Sequence, residues 1–277
     1  MKRILLVLFL AALRMFAAEP FFFIQMSDPQ FGMQTDNRDF AQETASFEFA
    51  IATANRLRPA FVVITGDLVN KPGDPRQIAE FKRIAATLDP SIQLYNVPGN
   101  HDVGNEPTPE SLAAYRKNIG PDYYAFRSAG LLGIVLNASL IQHPDKAPGE
   151  YEKQLAWLRA ELERARRERV RWIVLFQHQP WFLQSPDEPD QYFNIPLARR
   201  TLYLDLLHRY GVRYVFAGHY HRNAESRDGP LEMITTGPVG KPLDDARSGM
   251  RIAIVSDSGI RHAYFDFGIL PNRVEAR

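Results

Sequence analysis

Polar side chains able to bind a metal ion follow five separate apolar runs of this sequence. From the N-terminus, these segments are SDPQ (27–30), TGDLVN (65–70), PGNHD (98–102), FQHQP (176–180) and AGHYH (217–221). A lone aspartate at the end of a strand commonly caps a turn, but five such segments in one chain need another explanation. Because ligands of open α/β sheets gather at the carboxyl ends of the strands, we expect the five segments to converge on one site.

The candidate ligands offer oxygen and imidazole nitrogen atoms, and the chain contains no cysteine. They are Asp28, Gln30, Asp67, Asn100, His178, His219 and His221. Such donors suit divalent Mn, Fe, Zn or Mg ions. Seven ligands exceed the need of one transition ion, whereas with Asp67 as a bridge they suffice for two ions about 3.5–4 Å apart, as in two-metal hydrolases. His219 and His221 flank one residue, so in an extended segment they would point to the same side and reach neighbouring ions.

Composition excludes several other kinds of protein. With 277 residues, of which 45% are hydrophobic, the chain can bury the core of one large α/β domain. Its formal net charge of +1 does not favour a nucleic-acid partner. The absence of cysteine excludes disulfide bonds, thiolate metal sites and cysteine nucleophiles.

The first residues have the layout of a secretory signal. Lys2 and Arg3 precede an apolar stretch at 4–13, and small residues follow it at 17–18. We predict a signal peptide at 1–18 and export to the periplasm or out of the cell; the alternative is an N-terminal extension of a cytoplasmic protein. The apolar stretch is about half as long as the ~20 residues that cross a bilayer, so we expect no stable membrane span.

Short apolar runs alternate with amphipathic helical stretches from residue 20 onward, which is the pattern of a layered α/β domain. Strands are predicted at 21–26, 60–66, 92–99, 131–138, 171–178 and 212–219. The clearest helix is 150–169, where Leu155, Leu158 and Leu162 form one face. The arginines of this helix are expected on a second, solvated face with glutamate partners.

The pattern changes after residue 220, where short apolar runs lie between glycine and aspartate residues. The runs at 231–236, 251–257 and 261–268 are predicted as antiparallel strands that finish a second sheet. No repeat or linker marks a boundary, so residues 20–268 are predicted to form one domain in which two packed sheets are flanked by helices.

The motifs resemble those of the calcineurin-like metallophosphoesterases, whose signature runs D-x-H, G-D, G-N-H-[DE], a lone His and G-H-x-H. The matching residues, in the same order, are Asp28, Gly66-Asp67, Gly99-Asn100-His101-Asp102, His178 and Gly218-His219-Tyr220-His221. Across residues 20–267 the chain is similar to the family of calcineurin-like phosphoesterase domain-containing protein 1, which also has Gln in place of the first His. That family includes a protein serine/threonine phosphatase. The resemblance implies a four-layer α/β/β/α sandwich of two mixed β-sheets flanked by helices.

The resemblance also implies a role for each motif residue. Asp28, Gln30, Asp67 and His221 would hold a first metal, and Asp67, Asn100, His178 and His219 a second one. His101 would face the phosphate together with Asn100, as a general acid for the leaving oxygen or as a positive stabiliser. Asp102 would orient the His101 ring and keep it protonated. Arg222 directly follows His221 and is a further candidate for phosphate binding, although it could equally point into solvent.

The implied reaction is hydrolysis of a phosphomonoester by a metal-activated hydroxide, with a phosphorylated protein or a small phosphorylated metabolite as the substrate. Two divalent ions against two ligand carboxylates leave a formal charge of about +2, which suits a phosphate dianion. Two alternatives stay open: hydrolysis of a phosphodiester or nucleotide pyrophosphate, and a metal-binding module with weak or no catalysis. The presence of His101 argues against the second alternative.

The segment 179–196 starts directly after His178 and is rich in proline, acidic and aromatic residues. It is predicted either as a lid over the site or as a surface loop fastened by Trp181 and Phe182. If its acidic side chains face the pocket, they disfavour highly anionic substrates.

Gln30 stands where the family signature has its first histidine. Its amide oxygen is neutral, as imidazole is, so the charge of the site is unchanged, but the oxygen is a weaker ligand. We therefore expect a first metal that is easily lost.

Overall fold

Residues 19–276, the part of the chain that the computed structural model describes, form two β-sheets and seven helices. The strands are β1 (Phe21–Met26), β2 (Phe61–Ile64), β3 (Gln93–Asn96), β4 (Tyr124–Ser128), β5 (Leu131–Val135), β6 (Trp172–Phe176), β7 (Tyr214–Ala217), β8 (Ala224–Asp228), β9 (Leu231–Thr235), β10 (Gly249–Ser256) and β11 (Gly259–Asp266). The helices are α1 (Ala41–Leu57), α2 (Pro75–Ala85), α3 (Asn100–Val103), α4 (Pro109–Asn118), α5 (Ala138–Gln142), α6 (Glu150–Arg167) and α7 (Leu197–Arg209). The predicted signal peptide at 1–18 lies outside the described residues.

Both sheets are mixed, which confirms the predicted fold class. The five-stranded sheet has the order β11-β10-β1-β2-β3, and the six-stranded sheet has the order β4-β5-β6-β7-β9-β8. Strands β1, β2 and β3 run parallel to one another, as do β5, β6, β7 and β9. The carboxyl ends of the parallel strands therefore lie at one edge of each sheet, where ligands of such folds gather.

The strands after residue 220 differ from the prediction. Only β9 of the three predicted runs joins the six-stranded sheet, and it lies parallel to β7. Strand β10 instead pairs antiparallel with β1, and β11 pairs antiparallel with β10. The prediction that all three runs finish the second sheet as antiparallel strands is therefore wrong. Because β1 is buried on both faces, its free edge needs a partner that can be buried with it, and β10 supplies one from the far end of the chain.

The two sheets face each other across a layer of aromatic side chains. This layer contains Phe23, Phe61, Phe126, Phe176 and Phe216, all buried. The rings of Phe23 and Phe61 stack with centroids 4.7 Å apart. Neighbouring residues of the same strands, such as Ile24 and Val62, point to the opposite face and pack among residues of α1 and α2.

The outer face of the second sheet is covered by α5, α6 and α7. Leu158 and Leu162 of α6 are fully buried there, and Leu155 packs partly buried against the same cluster, which confirms the predicted apolar face. The architecture is a sandwich of helices, sheet, sheet and helices, as predicted.

The arginine-rich end of α6 forms ion pairs on its own surface, as the sequence predicted. Arg164 pairs with Glu161, and Arg166 Nη2 lies 2.8 Å from Glu163 Oε1. Within residues 19–276, no helix combines the length and the apolar character needed to cross a bilayer.

Candidate metal centre

All seven predicted ligands are buried, and none is more than 4% exposed. They follow the carboxyl ends of β1, β2, β3, β6 and β7. Two groups of side chains could each hold an ion: Asp67, His178 and His219 form one, and Asp28, Asp67 and His221 form the other. Within each group the candidate ligand atoms lie within 4.8 Å of one another. Asp67 belongs to both groups, which is the position that the sequence analysis gave to a bridging ligand.

The histidines approach the carboxylates closely. His178 Nε2 lies 3.2 Å from Asp67 Oδ2, and His221 Nε2 lies 3.3 Å from Asp28 Oδ1. His219 Nδ1 lies 3.2 Å from His178 Nε2, so two imidazole nitrogens point at the same place. A cation between the two nitrogens, either a proton shared in a hydrogen bond or a metal ion, would favour this approach.

The second nitrogen of each histidine meets a backbone carbonyl, which defines its tautomer. The contacts are His178 Nδ1 to Thr65 O at 2.7 Å, His221 Nδ1 to Lys241 O at 2.6 Å and His219 Nε2 to Tyr192 O at 3.2 Å. A ring that donates one N–H to a carbonyl presents its other nitrogen as a lone pair. The inward-facing nitrogen of each ring is therefore the one available to a metal ion, as is usual for metal-binding histidines.

Three buried oxygens among the predicted ligands have no hydrogen-bond partner: Asp28 Oδ1, Gln30 Oε1 and Asn100 Oδ1. Their neighbouring polar atoms do have partners. Ser27 Oγ donates to Asp28 Oδ2 at 2.5 Å, Gln30 Nε2 donates to Asn70 Oδ1 at 3.2 Å, and Asn100 Nδ2 donates to Asn105 Oδ1 at 2.9 Å. An unpaired buried acceptor costs about 1–3 kcal/mol. The three unpaired oxygens lie among three histidines whose second nitrogens are bound to backbone carbonyls. This set of donors fits divalent metal ions.

Five of the seven predicted ligands have positive φ angles. These are Asp28 (49°), Gln30 (40°), Asp67 (51°), His219 (69°) and His221 (54°). Residues with a β-carbon seldom adopt this left-handed conformation, which costs about 1–3 kcal/mol at each position. The strand-end loops thus hold the ligands in backbone conformations that local preference does not favour.

Glycines beside the ligands allow the loops to approach one another. A β-carbon on Gly99 would lie 2.1 Å from Asp67 Oδ1, and one on Gly218 would lie 1.8 Å from Ser27 Oγ. Both distances are impossible for real atoms, so only glycine permits these contacts. The glycines that precede Asn100 and His219 therefore serve close approach of the loops.

In the absence of ions, the buried carboxylates and imidazoles shift one another's pKa values. Burial tends to raise the pKa of Asp67, but the positive charges of His178 and His101 outweigh it and hold that pKa well below its ordinary range. Burial tends to lower the pKa of His178, but Asp67 and Asp28 raise it to about 9. Burial and the charge of His178 lower the pKa of His219 to about 4.

The stability of the metal-free protein should fall as the pH rises from 6.5 to 9. The pKa of His178 lies at about 9 in the folded protein and at 6.5 ordinarily, so its charged ring stabilises the fold fully below pH 6.5 and no longer does so above pH 9. The pKa values of Asp102 and His221 are also raised in the folded protein, so these two groups likewise lose stabilising protonation as the pH rises. Urea unfolding with a chelator present measures the free energy of unfolding. His178→Gln should flatten the dependence, and a pH-independent wild type would contradict the expectation.

Asp102 does not orient His101, in contrast to the expectation from the sequence. His101 Nδ1 lies 2.7 Å from Asn70 O, and its backbone N–H donates to Asp67 Oδ1 at 2.8 Å. The Asp102 carboxylate accepts backbone N–H groups of Gly99, Leu68 and Val69 at 2.8, 2.9 and 3.2 Å. Burial and the charge of Asp67 raise the pKa of Asp102, and the N–H of Gly99 partly offsets this. Asp102 therefore ties the loop after β2 to the start of α3.

Arg222 is held by its neighbours at the edge of the centre. Its guanidinium pairs with Asp244 and lies over the Tyr220 ring, 4.3 Å from the centroid. The predicted contact of Arg222 with phosphate stays a prediction.

The segment 179–196 is fastened to the core and also reaches the centre, so the two alternatives for it are compatible. Trp181 and Phe182 are fully buried. The Glu188 carboxylate accepts the backbone N–H groups of Leu183 and Gln184 at 2.9 and 2.7 Å. This carboxylate is therefore engaged inside the loop rather than turned towards a substrate. Tyr192, farther along the loop, contacts His219.

A polar chain beneath the centre was missed in the sequence. Gln25 in β1 is fully buried, and its Nε2 donates to Thr65 Oγ1 at 2.9 Å. Thr65 Oγ1 donates to Ser27 Oγ at 3.0 Å, and Ser27 in turn donates to Asp28. The chain keeps Asp28 Oδ2 engaged and leaves Oδ1 for an ion. The available signal was a glutamine within the otherwise apolar strand FFFIQM.

Comparison with known proteins identifies the family. A family model described as Calcineurin-like phosphoesterase matches residues 23–223. The serine/threonine-protein phosphatase CPPED1 of Danio rerio is 36% identical over 269 residues, which cover 92% of this chain and 87% of the relative. The protein of the same name from Homo sapiens is 36% identical over 221 residues, 78% of this chain and 70% of the relative.

Solved structures show the same fold at low sequence identity. A purple acid phosphatase from yellow lupin superposes with a TM-score of 0.65 at 13% identity, covering 89% of this chain and 52% of that one. A dimetal phosphatase from Danio rerio superposes with a TM-score of 0.59 at 18% identity, covering 89% of this chain and 99% of that one. The chain belongs to the calcineurin-like phosphoesterase family and is a phosphoric ester hydrolase.

Proposed function

We propose that this protein is a dinuclear-metal-dependent phosphatase that hydrolyses phosphomonoesters, with phosphoserine and phosphothreonine in proteins as its first candidate substrates. The observation that carries the proposal is Asp67, which belongs to both groups of candidate ligands. The substrate class is supported by relatives that are named serine/threonine-protein phosphatases and are about as long as this chain.

The seven buried side chains divide into two ligand sets. Asp28, Gln30, Asp67 and His221 hold the first ion, and Asp67, Asn100, His178 and His219 hold the second. The unpaired oxygens of Asp28, Gln30 and Asn100 support this division, since each set receives at least one of them. When bound, divalent ions at such a centre neutralise phosphoryl charge and lower the pKa of a coordinated water.

His101 is proposed as the residue that transfers a proton to the leaving oxygen. The carbonyl of Asn70 accepts its Nδ1–H, so Nε2 is the nitrogen left for the substrate. The bond from the His101 backbone N–H to Asp67 fixes this residue relative to the centre. Proton transfer by a positioned histidine contributes about 10²–10⁴-fold to a rate.

Gln30→His should strengthen binding of the first ion by about tenfold, since imidazole is a better ligand than an amide oxygen and changes around metal sites act on this scale. Gln30 Oε1 has no hydrogen-bond partner while its Nε2 is bound to Asn70, so the oxygen is the atom presented to an ion. Metal titration calorimetry and metal content after dialysis give the measurement. Gln93→His, at an exposed position on β3, is the control. Titrations unchanged by Gln30→His would mean that Gln30 does not coordinate.

Turnover by the manganese-loaded protein tests the proposed function. Phosphoseryl and phosphothreonyl peptides, small phosphorylated metabolites, 4-nitrophenyl phosphate and bis(4-nitrophenyl) phosphate are compared at equal concentration. We expect hydrolysis of the monoesters and faster turnover of the peptides than of small phosphorylated metabolites. Stronger turnover of the diester would favour a phosphodiesterase instead. No turnover of any ester at full metal occupancy would indicate a binding module.

A further inference from the structure

Tyr192 lies against the candidate metal centre on its loop side. Its ring centroid is 4.9 Å from that of His219, and its backbone carbonyl accepts the His219 Nε2–H at 3.2 Å. The Phe193 ring packs 5.1 Å from the Tyr192 ring and 5.5 Å from the His219 ring. Backbone and side chain thus both place Tyr192 beside a predicted ligand.

Residues of three different strand-end loops influence the Tyr192 hydroxyl. Burial and the charge of Asp67 raise the pKa of the Tyr192 hydroxyl, the side chain of Asn100 partly offsets this, and the charge of Asp28 raises the pKa further. These residues follow β3, β2 and β1 and belong to both proposed ligand sets. Together with the ring and backbone contacts to His219, these interactions place the Tyr192 phenol beside the candidate centre.

Packing does not explain the position of this side chain. Tyr192 is 57% exposed, whereas the seven predicted ligands are buried. His101 is also partly exposed. An aromatic side chain that leaves more than half of its surface in water gains little free energy from burial. A hydroxyl beside a polar centre is available to a ligand.

The loop holds Tyr192 in place before any ligand arrives. Arg200 is fully buried and donates to the carbonyls of Ile195, Pro186 and Glu188 at 3.0, 3.0 and 2.8 Å. Gln142 Nε2 donates to Asn194 O at 3.1 Å on the other side of the loop. A hydrogen-bond donor fixed in this way stabilises a charged ligand without reorganisation.

We propose that Tyr192 is a substrate-contacting residue whose hydroxyl donates a hydrogen bond to a non-bridging oxygen of the bound phosphoryl group. The inference rests on the proposed phosphatase function. A phenol is protonated at neutral pH and has one proton to donate. The acceptor is an anion, so loss of the bond weakens phosphate binding by about tenfold.

Tyr192→Phe tests the proposal because it keeps the ring and the backbone carbonyl and removes only the hydroxyl. The full chain loaded with Mn²⁺ is titrated with inorganic phosphate in a calorimeter, and its metal content is measured in parallel. We expect phosphate to bind about tenfold more weakly at unchanged metal content. Tyr210→Phe is the matched control, since its hydroxyl donates to Glu163 at 3.0 Å on the surface.

Two results would overturn the role of Tyr192. Phosphate affinity equal to that of the wild type would show that the hydroxyl does not touch the ligand. A loss of phosphate affinity together with a loss of metal would show that the hydroxyl acts on Asn100 rather than on the substrate. Neither result affects the proposed function, which is judged by ester turnover of the wild-type protein.

Discussion

Asp67→Ala is expected to release both ions and to lower the turnover of phosphomonoesters by about 10³-fold or more, since bound metal supplies several kcal/mol of charge stabilisation. The carboxylate belongs to both groups of candidate ligands. Its Oδ1 also accepts the His101 backbone N–H at 2.8 Å, and its Oδ2 lies 3.2 Å from His178 Nε2. One substitution therefore removes a shared ligand and frees two residues of the site. Metal content after dialysis and turnover of 4-nitrophenyl phosphate measure the effect.

Asp122→Ala separates loss of metal from general loss of stability. Asp122 is as buried as Asp67, and its carboxylate accepts hydrogen bonds from Arg116 and Asn137 outside the proposed ligand sets. This variant should unfold more easily and still bind metal. Asp67→Asn keeps the size of the side chain and one oxygen, so it should bind metal more weakly than the wild type and more strongly than Asp67→Ala. Retention of one ion at full affinity by Asp67→Ala would show that this residue does not bridge.

His101→Ala is expected to lower turnover by about 10²-fold or more while both ions stay bound. The ring of His101 lies outside both candidate ligand groups and is held by the carbonyl of Asn70. If the ring gives a proton to the leaving oxygen, its loss should reduce turnover of phosphoserine, which has a poor leaving group, more than turnover of 4-nitrophenyl phosphate. Steady-state kinetics on both substrates, with metal content, provide the measurement.

His208→Ala is the control for this variant, since His208 pairs with Asp228 away from the predicted ligands. It should leave both turnover and metal content unchanged. An equal loss of turnover on the two substrates would assign His101 an electrostatic role instead of proton transfer. Loss of metal from His101→Ala would mean that this residue is itself a ligand.

The ligand set could be predicted from the sequence because it depends on a simple property of parallel strands. Each of Asp28, Asp67 and His178 lies within three residues of the end of an apolar strand, and the carboxyl ends of such strands share one edge. The motifs also occur in the order of the family signature, which separates the resemblance to that family from a chance match. The structure brings five of the seven residues into the two candidate groups, and Gln30 and Asn100 each present a buried oxygen without a hydrogen-bond partner.

The role of Asp102 could not be predicted because the side chains of two consecutive residues, such as His101 and Asp102, do not contact each other on a helix. GNHD begins the short helix α3, and neighbouring residues of a helix point in different directions. At the third position of this helix, the Asp102 carboxylate turns back to the backbone N–H of Gly99. His101 therefore takes its partner from Asn70, in a loop that the local sequence does not specify.

Tyr192 was missed for a related reason. It lies in a long segment without periodicity, and nothing in its neighbours distinguishes it from other aromatic residues of the chain. Its place at the centre depends on the buried guanidinium of Arg200 and on the fold of the loop around Glu188. The pairing of β10 with β1 depends in the same way on contacts between distant parts of the chain.

The five left-handed ligand residues set a limit on how this protein can be made more stable. Glycine at any of these positions would relax the backbone, and each relaxation is worth about 1–3 kcal/mol against a total of about 5–15 kcal/mol for a typical domain. The same exchange deletes a side chain that the proposed centre requires. Selection or engineering for heat resistance alone would thus favour sequences that lack ligands of the proposed centre. Thermostability and activity are in direct conflict in the loops after β1, β2 and β7.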